Sequence, residues 1–327
     1  MSAILVTGGA GYIGSHNVHY LRARGEEVVV FDDLSRGFAD AVGDVPLYRG
    51  NTGDRAVLDR IFRDHDIDAV LHFAAFIEVG ESVRDPSLYY RNNVANTVAL
   101  LEAMVAHGVQ RLVFSSTAAI FGTPEYTPID EAHPRAPINP YGRSKWLVEQ
   151  LLADYADIHG LHSVRLRYFN AAGADPQGRL GECHDPETHL IPLILQAASG
   201  RREAVSIFGE DYPTADGTCI RDYIHVEDLA QAHWLALQYL RRHDAGAAFN
   251  LGNGAGHSIR EVIESVKRVT GRDFPVVRAE RRPGDPPVLV ADSRHAREIL
   301  GWQPQYQELD RIVADAWRWE QAKGVLW

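Results

Sequence analysis

Short apolar runs alternate with longer stretches of helical periodicity through the first half of this chain. The apolar runs cover residues 4–6, 28–31, 69–73 and 112–114. Near-continuous apolar runs of this length are typical of parallel strands that helices cover on both faces. The helical stretches cover residues 11–24, 54–64 and 87–106. The pattern therefore predicts an α/β fold built on a doubly wound parallel sheet.

A long connection follows the fourth apolar run and leads into a predicted helix. It covers residues 116–139 and contains four prolines, and irregular loops of that length are usually functional. Asn139 is a capping residue and Pro140 occupies the first helical position, so a helix is predicted over 140–159. Residues 164–168 alternate apolar and polar positions and predict one more strand.

The texture of the sequence changes after about residue 174. Predicted elements become shorter, and glycine, proline and other loop residues become denser, as in residues 175–178 and 283–287. This change predicts a first domain over 1–174 and a smaller mixed α/β lobe over 175–327, with some later segments returning to the first domain. The C-terminal helix that contains Trp317 and Trp319 is expected to pack on the core.

Composition and charge restrict the class of protein. The 327 residues are 45% hydrophobic and 24% charged, as in ordinary globular proteins. The formal net charge of −11 argues against a nucleic-acid or anionic-membrane surface. Cys183 and Cys219 cannot form a disulfide framework and have no metal-ligand spacing, so no metal site is predicted. The first strand is predicted within five residues of Met1 and no apolar run approaches ~18 residues, so a soluble cytoplasmic protein is expected.

The first predicted strand runs into three glycines with the spacing G-x-x-G-x-x-G, namely Gly8, Gly11 and Gly14. Glycine lets the backbone turn tightly here, approach a pyrophosphate and pack the helix on the strand. The anion then binds N–H groups at the helix N-terminus, around Tyr12 and Ile13. Such turns also serve as plain strand–helix connections, but the strand before it and the helix after it favour a Rossmann-type dinucleotide site.

An acidic residue at the end of the second predicted strand indicates which dinucleotide binds. Asp32 is placed to accept hydrogen bonds from the adenosine ribose hydroxyls, and its charge would repel a 2′-phosphate. NAD is therefore favoured over NADP, although Arg36 argues the other way. The segment Phe73, Ala74 and Ala75 lies at a strand's C-terminal end, where ligands bind in such sheets; the alternative is that it only packs a helix.

Tyr141 and Lys145 are four residues apart on one predicted helix, so their side chains lie on the same face. A nearby ammonium and a positively charged nicotinamide would both favour the phenolate and make the tyrosine a base. The spacing Y-x-x-x-K also arises often by chance as a surface pair. After a dinucleotide pattern and Ser115-Ser116-Thr117, the catalytic interpretation is favoured, with the Thr117 hydroxyl passing a proton between substrate and phenol.

With these motifs, the chain resembles the UDP-glucose 4-epimerases of the extended short-chain dehydrogenase/reductase superfamily over nearly its whole length. The supporting stretches are residues 7–15, 72–75, 79–82, 89–93, 141–145 and 168–170. The most specific stretches are 208–218, 221–226 and 281–285 in the second lobe. The glycine and Tyr/Lys motifs are shared by the whole superfamily, whereas these second-lobe motifs resemble the epimerases.

The resemblance implies an NAD-dependent isomerase of galactose metabolism that interconverts UDP-glucose and UDP-galactose. Tyr141 would take the proton of the sugar 4-hydroxyl, directly or through Thr117, while hydride passes from C4 to bound NAD. The 4-keto sugar would then rotate and take the hydride back on its other face. Lys145 would hold the nicotinamide ribose and favour the phenolate.

The resemblance also implies the remaining binding residues. Further cofactor-binding positions are Asn51, Thr52, Asn92 and Phe169. Substrate-binding positions are Thr117, Asn170, His189, Leu190, Phe208, Arg221, Arg282, Asp285 and Leu289. Among them, the two arginines would hold the pyrophosphate, Asp285 the uridine ribose and Phe208 the uracil. For each residue the alternative is a surface salt bridge or a packing contact.

Four positions depart from the family's better-known pattern. Ile77 stands where many members have a lysine near the cofactor, and Asn51 replaces an aspartate that faces adenine. His189 replaces a substrate-contacting asparagine. Leu289 occupies the position where a large tyrosine tends to exclude N-acetylated sugars and a small residue tends to admit them, so tolerance of those sugars stays open.

Ala118 and Ala119 follow Thr117, where nucleotide-sugar dehydratases and decarboxylating relatives carry acids. An alanine cannot transfer a proton, which argues against both reactions. Two alternatives stay open: a 4-epimerase of a UDP-N-acetylhexosamine, UDP-pentose or UDP-uronate, and more remotely a non-catalytic NAD(H)-sensing protein. The predicted helices over 87–106 and 140–159 carry more apolar surface than one core face needs, and the resemblance implies a homodimer.

Overall fold

A seven-stranded parallel sheet forms the centre of the computed structural model, which describes residues 2–282 and 284–326. The described strands are β1 (Ala3–Thr7), β2 (Glu27–Asp32), β3 (Leu47–Arg49), β4 (Ile67–His72), β5 (Arg111–Thr117), β6 (His162–Tyr168), β7 (Asn170–Ala172), β8 (Val205–Phe208), β9 (Ile220–His225), β10 (Ala247–Leu251), β11 (Gly256–Ser258), β12 (Val276–Ala279) and β13 (Val288–Leu289). The central order is β10-β6-β5-β4-β1-β2-β3. The chain reverses direction across the sheet between β1 and β4, and ligands bind at such a switch point.

Helices cover both faces of this sheet. They are α1 (Tyr12–Arg22), α2 (Arg55–Asp64), α3 (Val79–Arg84), α4 (Pro86–Tyr89), α5 (Asn96–Ala106), α6 (Pro140–His159), α7 (Leu190–Ala198), α8 (Val226–Arg242), α9 (Ile259–Thr270), α10 (Arg294–Leu300) and α11 (Leu309–Leu326). A π-helical turn over Tyr90–Ala95 joins α4 to α5. Among the described residues, no helix combines the length and apolar character needed to cross a membrane.

Alternate residues of each central strand pack on opposite faces. In β1, Ile4 and Val6 belong to one buried cluster, which includes Leu237 of α8. Leu5 belongs to a second cluster, which includes Leu100 of α5. Apolar side chains on both faces require helices on both faces, which is why the strand sequences are nearly continuous apolar runs. The predicted α/β class and doubly wound parallel sheet are confirmed.

A smaller group of strands and helices forms the second lobe. Strand β9 pairs with β11, β13 and β7, and β8 pairs with β12. The helices α7, α9 and α11 pack together in a third buried cluster. Strand β10 instead extends the central sheet beside β6, and α8 packs on α1. The boundary near residue 174 stays a prediction, and β10 and α8 are segments from beyond it that join the first sheet.

Helix α6 begins and ends where the sequence predicts. The Asn139 side chain accepts a hydrogen bond from the Gly142 N–H at 2.8 Å, and Pro140 is the first helical residue. Gly160 ends the helix in the left-handed conformation with φ of 65°. The predicted helix over 87–106 is less regular, because the π-helical turn interrupts it.

The long connection between β5 and α6 links the two lobes. Ile129 forms an isolated parallel bridge with Ala291, and its carbonyl accepts a hydrogen bond from Asn250 Nδ2 at 2.9 Å. The Glu131 carboxylate accepts a further bond from the Asn250 N–H at 2.7 Å. The connection is therefore held against the end of β10, and this brings the end of β5 and the start of α6 close to the second lobe.

Candidate active site

The glycine loop after β1 admits no side chain at two of its three glycines. Gly8 has φ of 71°, and a Cβ there would lie 2.5 Å from the Ala74 nitrogen. A Cβ on Gly14 would lie 2.1 Å from the Gly8 carbonyl oxygen. Gly11 is the N-cap of α1 and has no side chain to cap it, so the first-turn N–H groups at Tyr12 and Ile13 are open to an anion.

Asp32 is held beside this loop at the end of β2. Its carboxylate accepts hydrogen bonds from the Ala10 N–H at 2.9 Å and from the Leu34 N–H at 2.8 Å. Burial raises the pKa of Asp32, and these two N–H groups oppose the shift. Arg36, the residue that argued for NADP, contacts Glu81 at 3.2 Å. The acid is fixed next to the glycine loop, as a ribose-binding residue must be.

The end of β4 packs directly against the glycine loop. The N–H groups of Phe73 and Ala74 both donate to the Thr7 carbonyl, at 2.9 and 3.1 Å. Below them, the His72 ring bonds Thr7 Oγ1 at 2.6 Å and Thr97 Oγ1 at 2.9 Å. Burial lowers the pKa of His72 to about 3, so this ring is a neutral packing residue. Together, the glycine loop, Asp32 and residues 72–76 form what we call the cofactor region.

Side-chain amides line the far edge of the cofactor region. Asn51 Nδ2 lies 3.4 Å from Asp33 Oδ2 and 3.3 Å from Asn92 Oδ1. Asn93, which sequence reasoning did not select, donates to the Phe76 carbonyl and accepts from the Phe76 N–H, both at 2.9 Å. It lies in the π-helical turn, a distortion that is frequent at functional sites. Asn92 and Asn93 both lie in this turn and both contact residues that line the cofactor region.

The end of β5 and the start of α6 bring three residues together, which we call the reaction centre: Thr117, Tyr141 and Lys145. Thr117 Oγ1 accepts from the Ala119 N–H at 3.1 Å, and the Thr117 hydroxyl lowers the pKa of the Tyr141 phenol by favouring its phenolate form. Lys145 Nζ donates to the Ser115 carbonyl at 2.8 Å. The arrangement places a phenol and an amine one turn apart on α6, and the hydroxyl of Thr117 lies at the end of β5.

Burial acts on the two titratable groups of the reaction centre in opposite directions. It raises the pKa of Tyr141 to about 12, and the hydrogen bond from Thr117 offsets this only partly. It lowers the pKa of Lys145 to about 7, against the opposing charge of Glu149. The side chains of the site alone therefore keep the phenol protonated near neutral pH. A further positive charge is needed to make Tyr141 a base.

Glu149 lies next to the reaction centre on α6, one helical turn after Lys145. It was not selected in the sequence analysis. Arg167 donates to both of its carboxylate oxygens, at 2.6 Å between Nη2 and Oε2, and Ser116 Oγ donates to Oε1 at 2.6 Å. Both charged side chains are 3% exposed. Glu149 follows Lys145 by four residues on α6, a spacing that could have identified it. Its partners lie on β5 and β6, and only the fold brings those strands to it.

Arg221 and Asp285 form an ion pair in the second lobe, between Nη2 and Oδ1. Cys219 Sγ lies 3.9 Å from the other oxygen of the same carboxylate. The Arg282 guanidinium stacks over the Phe208 ring at 4.0 Å from its centroid. The structure therefore brings together four residues that were selected one by one.

Leu289 connects this group to the reaction centre. It pairs with Arg221 in the register of β13 on β9. Its side chain packs on a small buried cluster that contains Ala118, directly after Thr117, and Phe169 packs on the same cluster. We call Phe208, Arg221, Arg282, Asp285 and Leu289 the nucleotide region.

Three other predicted substrate residues lie at element boundaries. Asn170 begins β7 and donates to the Asp222 carbonyl at 2.9 Å. His189 is the N-cap of α7, and its Nδ1 lies 2.6 Å from a Glu182 oxygen. Leu190 is the first residue of α7 and packs on the third buried cluster. Their roles toward substrate stay predictions, as do those of Thr52, which is buried, and Ala75.

The chain is similar to a protein family, to named proteins and to solved structures. Residues 4–252 match the model of the NAD dependent epimerase/dehydratase family. A protein of Halalkalibacterium halodurans named UDP-glucose 4-epimerase is 55% identical over 317 residues, which are 97% of this chain and 95% of that protein. The crystal structure of UDP-glucose 4-epimerase from Brucella ovis in complex with NAD has a TM-score of 0.95 and 49% identity, covering 98% of this chain and 99% of that one. The UDP-Glc/GlcNAc 4-epimerase of Campylobacter jejuni has a TM-score of 0.87 and 41% identity, covering 98% and 99%.

Proposed function

This chain belongs to the NAD dependent epimerase/dehydratase family, and we propose that it is an NAD-dependent UDP-hexose 4-epimerase that interconverts UDP-glucose and UDP-galactose. The observation that carries the proposal is the reaction centre of Thr117, Tyr141 and Lys145 between the cofactor region and the nucleotide region. The similarity to UDP-glucose 4-epimerases over nearly the whole chain supports the same activity.

The cofactor region fits NAD. Gly8 and Gly14 leave space that any Cβ would fill, next to the open N–H groups of the first turn of α1. The Asp32 carboxylate suits two ribose hydroxyls and disfavours a 2′-phosphate. When bound, NAD supplies a nicotinamide that accepts a hydride from C4 and returns it, and its positive charge favours the neighbouring phenolate.

The residues of the reaction centre move the proton of the sugar 4-hydroxyl. When Tyr141 is a phenolate, it can accept the proton of the Thr117 hydroxyl while that hydroxyl receives the proton of the sugar 4-hydroxyl. Lys145 is held on the Ser115 carbonyl at 2.8 Å, on the helix face it shares with Tyr141. General acid–base catalysis of this kind contributes about 10²–10⁴-fold in rate.

The residues after Thr117 supply no further proton-transfer group. Ala118 is 7% exposed and packs in an apolar cluster with Ile120 and Phe121. The sugar would therefore contact methyl groups next to Thr117. Elimination or decarboxylation would need an acidic side chain at these positions, and Ala118 and Ala119 provide none. This supports an epimerase over a dehydratase.

The nucleotide region suits the diphosphate and uridine of the substrate. Arg221 and Arg282 bring two guanidinium groups, whose fork geometry matches phosphate oxygens. The Phe208 ring offers a face on which a base can stack. Asp285 would exchange part of its bond with Arg221 for a ribose hydroxyl when substrate binds.

A 4-epimerase of another UDP-sugar is the second candidate. Leu289 lies beside Ala118 at the boundary between the reaction centre and the nucleotide region, and its intermediate size supports tolerance of a bulkier sugar. The similarity to the Campylobacter jejuni UDP-Glc/GlcNAc 4-epimerase points the same way.

The first experiment is proton NMR of the purified protein with UDP-galactose, without and with added NAD. Appearance of UDP-glucose without added NAD would support both the reaction and a retained cofactor. Product only after NAD is added would keep the reaction and refute tight retention, with Ile77 as the first residue to replace. No product in either tube would overturn the UDP-hexose assignment and, if UDP-N-acetylhexosamine, UDP-pentose and UDP-uronate also stay unchanged, would favour a non-catalytic NAD(H) sensor.

The proposal includes a homodimer in the cytoplasm. Two large apolar side chains of α6 are exposed, Leu147 at 40% and Ile158 at 73%, and Val83 of α3 is 62% exposed. Pairing of these helices with a second copy would bury them. Sedimentation should give twice the chain mass of 36.3 kDa, and Ile158→Glu should weaken the dimer. A wild-type monomer would refute it, and cell fractionation tests the location.

A further inference from the structure

Four side chains that can bind metals converge just before α7: Glu182, His184, Glu187 and His189. We call them the Glu/His cluster. Each offers one ligand atom, and these four atoms lie within 4.8 Å of one another. Sequence reasoning considered only the spacing of cysteines and predicted no metal site. The Glu/His cluster contains no cysteine, so a search for cysteine spacings could not detect it.

The side chains of the Glu/His cluster lie close enough together to share one cation. Glu182 Oε1 lies 2.6 Å from His189 Nδ1 and 3.2 Å from His184 Nδ1. Glu187 Oε2 lies 3.7 Å from His184 Nδ1, and Glu187 Oε1 lies 3.4 Å from His189 Nδ1. Ligand atoms at the corners of a tetrahedron around zinc, with bonds of about 2.0–2.2 Å, are about 3.3–3.6 Å apart. Glu182 Oε1, His184 Nδ1, His189 Nδ1 and Glu187 Oε2 are joined by three of these contacts, and the contacts of 3.2 and 3.7 Å are close to that separation.

Three of these atoms are shielded from solvent and lack a hydrogen bond of good geometry. They are His184 Nδ1, His189 Nδ1 and Glu187 Oε2. The Glu187 side chain is 3% exposed. Buried polar atoms are nearly always hydrogen-bonded or bind a metal. A cation bound between the side chains of the cluster would satisfy all three atoms.

The surroundings hold the two carboxylates in place. Glu187 Oε1 accepts from the N–H groups of Thr188 at 2.8 Å and His189 at 2.9 Å, which leaves Oε2 for the interior of the cluster. The main chain of Glu182 is fixed because its carbonyl accepts from Trp319 Nε1 at 2.8 Å. Such outer contacts orient metal ligands. The His189 ring is 42% exposed and provides a path by which an ion can enter.

We propose that the Glu/His cluster binds one divalent transition-metal cation, with Zn²⁺ as the best fit, through two imidazole nitrogens and two carboxylate oxygens. Mixed nitrogen and oxygen ligands suit Zn²⁺, whereas Mg²⁺ and Ca²⁺ prefer oxygen alone. Four protein ligands complete a tetrahedral shell and leave no open position, so the ion is structural. It supplies no chemistry to the proposed epimerisation, and its one link to the substrate would be His189, which the resemblance places among the substrate-binding residues.

The ion would fix the segment before α7 against the cofactor region. The His184 ring meets the Tyr12 ring edge-on at 6.5 Å, and the Tyr12 hydroxyl donates to the Gly173 carbonyl at 2.8 Å. Tyr12 is the first residue of α1, beside the glycine loop. Removal of the ion should therefore lower the thermal stability of the protein and loosen this contact.

The test uses untagged, NAD-containing protein that has been treated with a chelator and passed through gel filtration. Elemental analysis after reloading with Zn²⁺ should give one equivalent per chain, and one equivalent of Co²⁺ should give the intense visible absorption of tetrahedral cobalt. Reloading should also raise the melting temperature. His184→Gln and Glu187→Gln should weaken Zn²⁺ binding more than about 100-fold, since loss of an outer contact alone costs about 10–100-fold.

His107→Gln is the matched control. His107 contacts Asp59 at 2.9 Å as a single histidine–carboxylate pair away from the cluster, so its replacement should leave the Zn²⁺ stoichiometry unchanged. Absence of the cobalt spectrum in the wild-type protein would overturn the proposal without any variant. Equal Zn²⁺ content in wild type, His184→Gln and His107→Gln would also overturn it. Neither readout depends on epimerase activity, so failure here leaves the proposed function intact.

Discussion

The cofactor region and the nucleotide region are built by different means. In the cofactor region, main-chain geometry determines the site: Gly8 and Gly14 allow no Cβ, and Asp32 is fixed by two N–H groups. In the nucleotide region, side chains hold one another, as in the Arg221–Asp285 ion pair, and the Asp285 side chain is 31% exposed. Main-chain sterics make a rigid site, whereas paired side chains can exchange partners. The difference suits a cofactor that stays and a substrate that leaves.

Removal of the phenol at the junction of the two regions should have the largest effect. Tyr141→Phe keeps the ring and its edge-on contact with Tyr89 at 6.4 Å, so the variant should fold and retain NAD. It should lose about 10²–10⁴-fold in kcat, the usual contribution of a general base. Steady-state kinetics with UDP-galactose measure the loss, and the absorbance of bound NAD is the control. Near-normal turnover would remove Tyr141 from the mechanism.

A methyl group in the glycine loop tests the rigidity of the cofactor region. Gly14→Ala places a Cβ 2.1 Å from the Gly8 carbonyl oxygen, so the main chain must move. Such overpacking costs about 1–3 kcal/mol, which would weaken NAD binding about 5–150-fold. NAD content after gel filtration and calorimetric titration with NAD measure it.

Gly80→Ala is the control for that substitution. The nearest atom to a Cβ at Gly80 is Arg84 Nη1 at 3.7 Å, an ordinary contact. This variant should therefore retain NAD, and UDP binding should be unchanged in both variants. If Gly14→Ala binds NAD as tightly as the wild type does, main-chain sterics do not determine the cofactor region. The proposed difference between the cofactor region and the nucleotide region would then be wrong.

The nucleotide region should respond in KM and not in NAD content. Arg282→Ala removes a guanidinium that stacks on Phe208 at 4.0 Å. Loss of a charge-assisted bond to phosphate costs about 1.5–3 kcal/mol, so KM should rise about 10–100-fold with little change in kcat. Arg282→Lys keeps the charge but not the planar fork and should be intermediate. An unchanged KM in Arg282→Ala would show that this arginine does not bind substrate.

The pH dependence of stability at the reaction centre should have the smallest effect when it is counted per pH unit. Burial lowers the pKa of Lys145 to about 7 in the folded chain, below its value of about 10.4 when unfolded. Between these values the unfolded chain binds more protons. The destabilisation is therefore fully present below about pH 7 and is relieved as pH rises toward 10, by at most about 1.4 kcal/mol per pH unit.

Lys145→Met tests this dependence by denaturant unfolding at pH 7, 8 and 9, with NAD removed and with NAD added. The wild type should gain stability relative to Lys145→Met as pH rises when NAD is absent. Bound NAD brings its own charges to this site, so the gain should differ in its presence. Parallel stability curves for the two proteins in the absence of NAD would contradict the shifted pKa.

Motifs of a few residues predicted those parts of the molecule whose form depends on the main chain, namely the start of α6 and the glycine loop. The helix start at Asn139–Pro140 follows from local capping chemistry, and α6 has the predicted bounds. The glycine spacing predicts a tight turn with close main-chain contacts, because only a residue without a Cβ fits at Gly8 and Gly14. The π-helical turn over Tyr90–Ala95 could not be predicted from local spacing, and within it Asn93 bonds to Phe76 in the loop after β4, 17 positions earlier.

The sequence by itself determined the α/β class, the cofactor loop and the tyrosine–lysine pair. Each of them follows from a pattern among residues that are close together in the sequence. Only the tertiary structure decided which distant residues meet. Glu149 meets Arg167 and Ser116 below the reaction centre, and Arg221 meets Asp285 across 64 positions of the chain. Such contacts depend on the order of strands in the sheets, which places residues side by side whatever their separation in sequence.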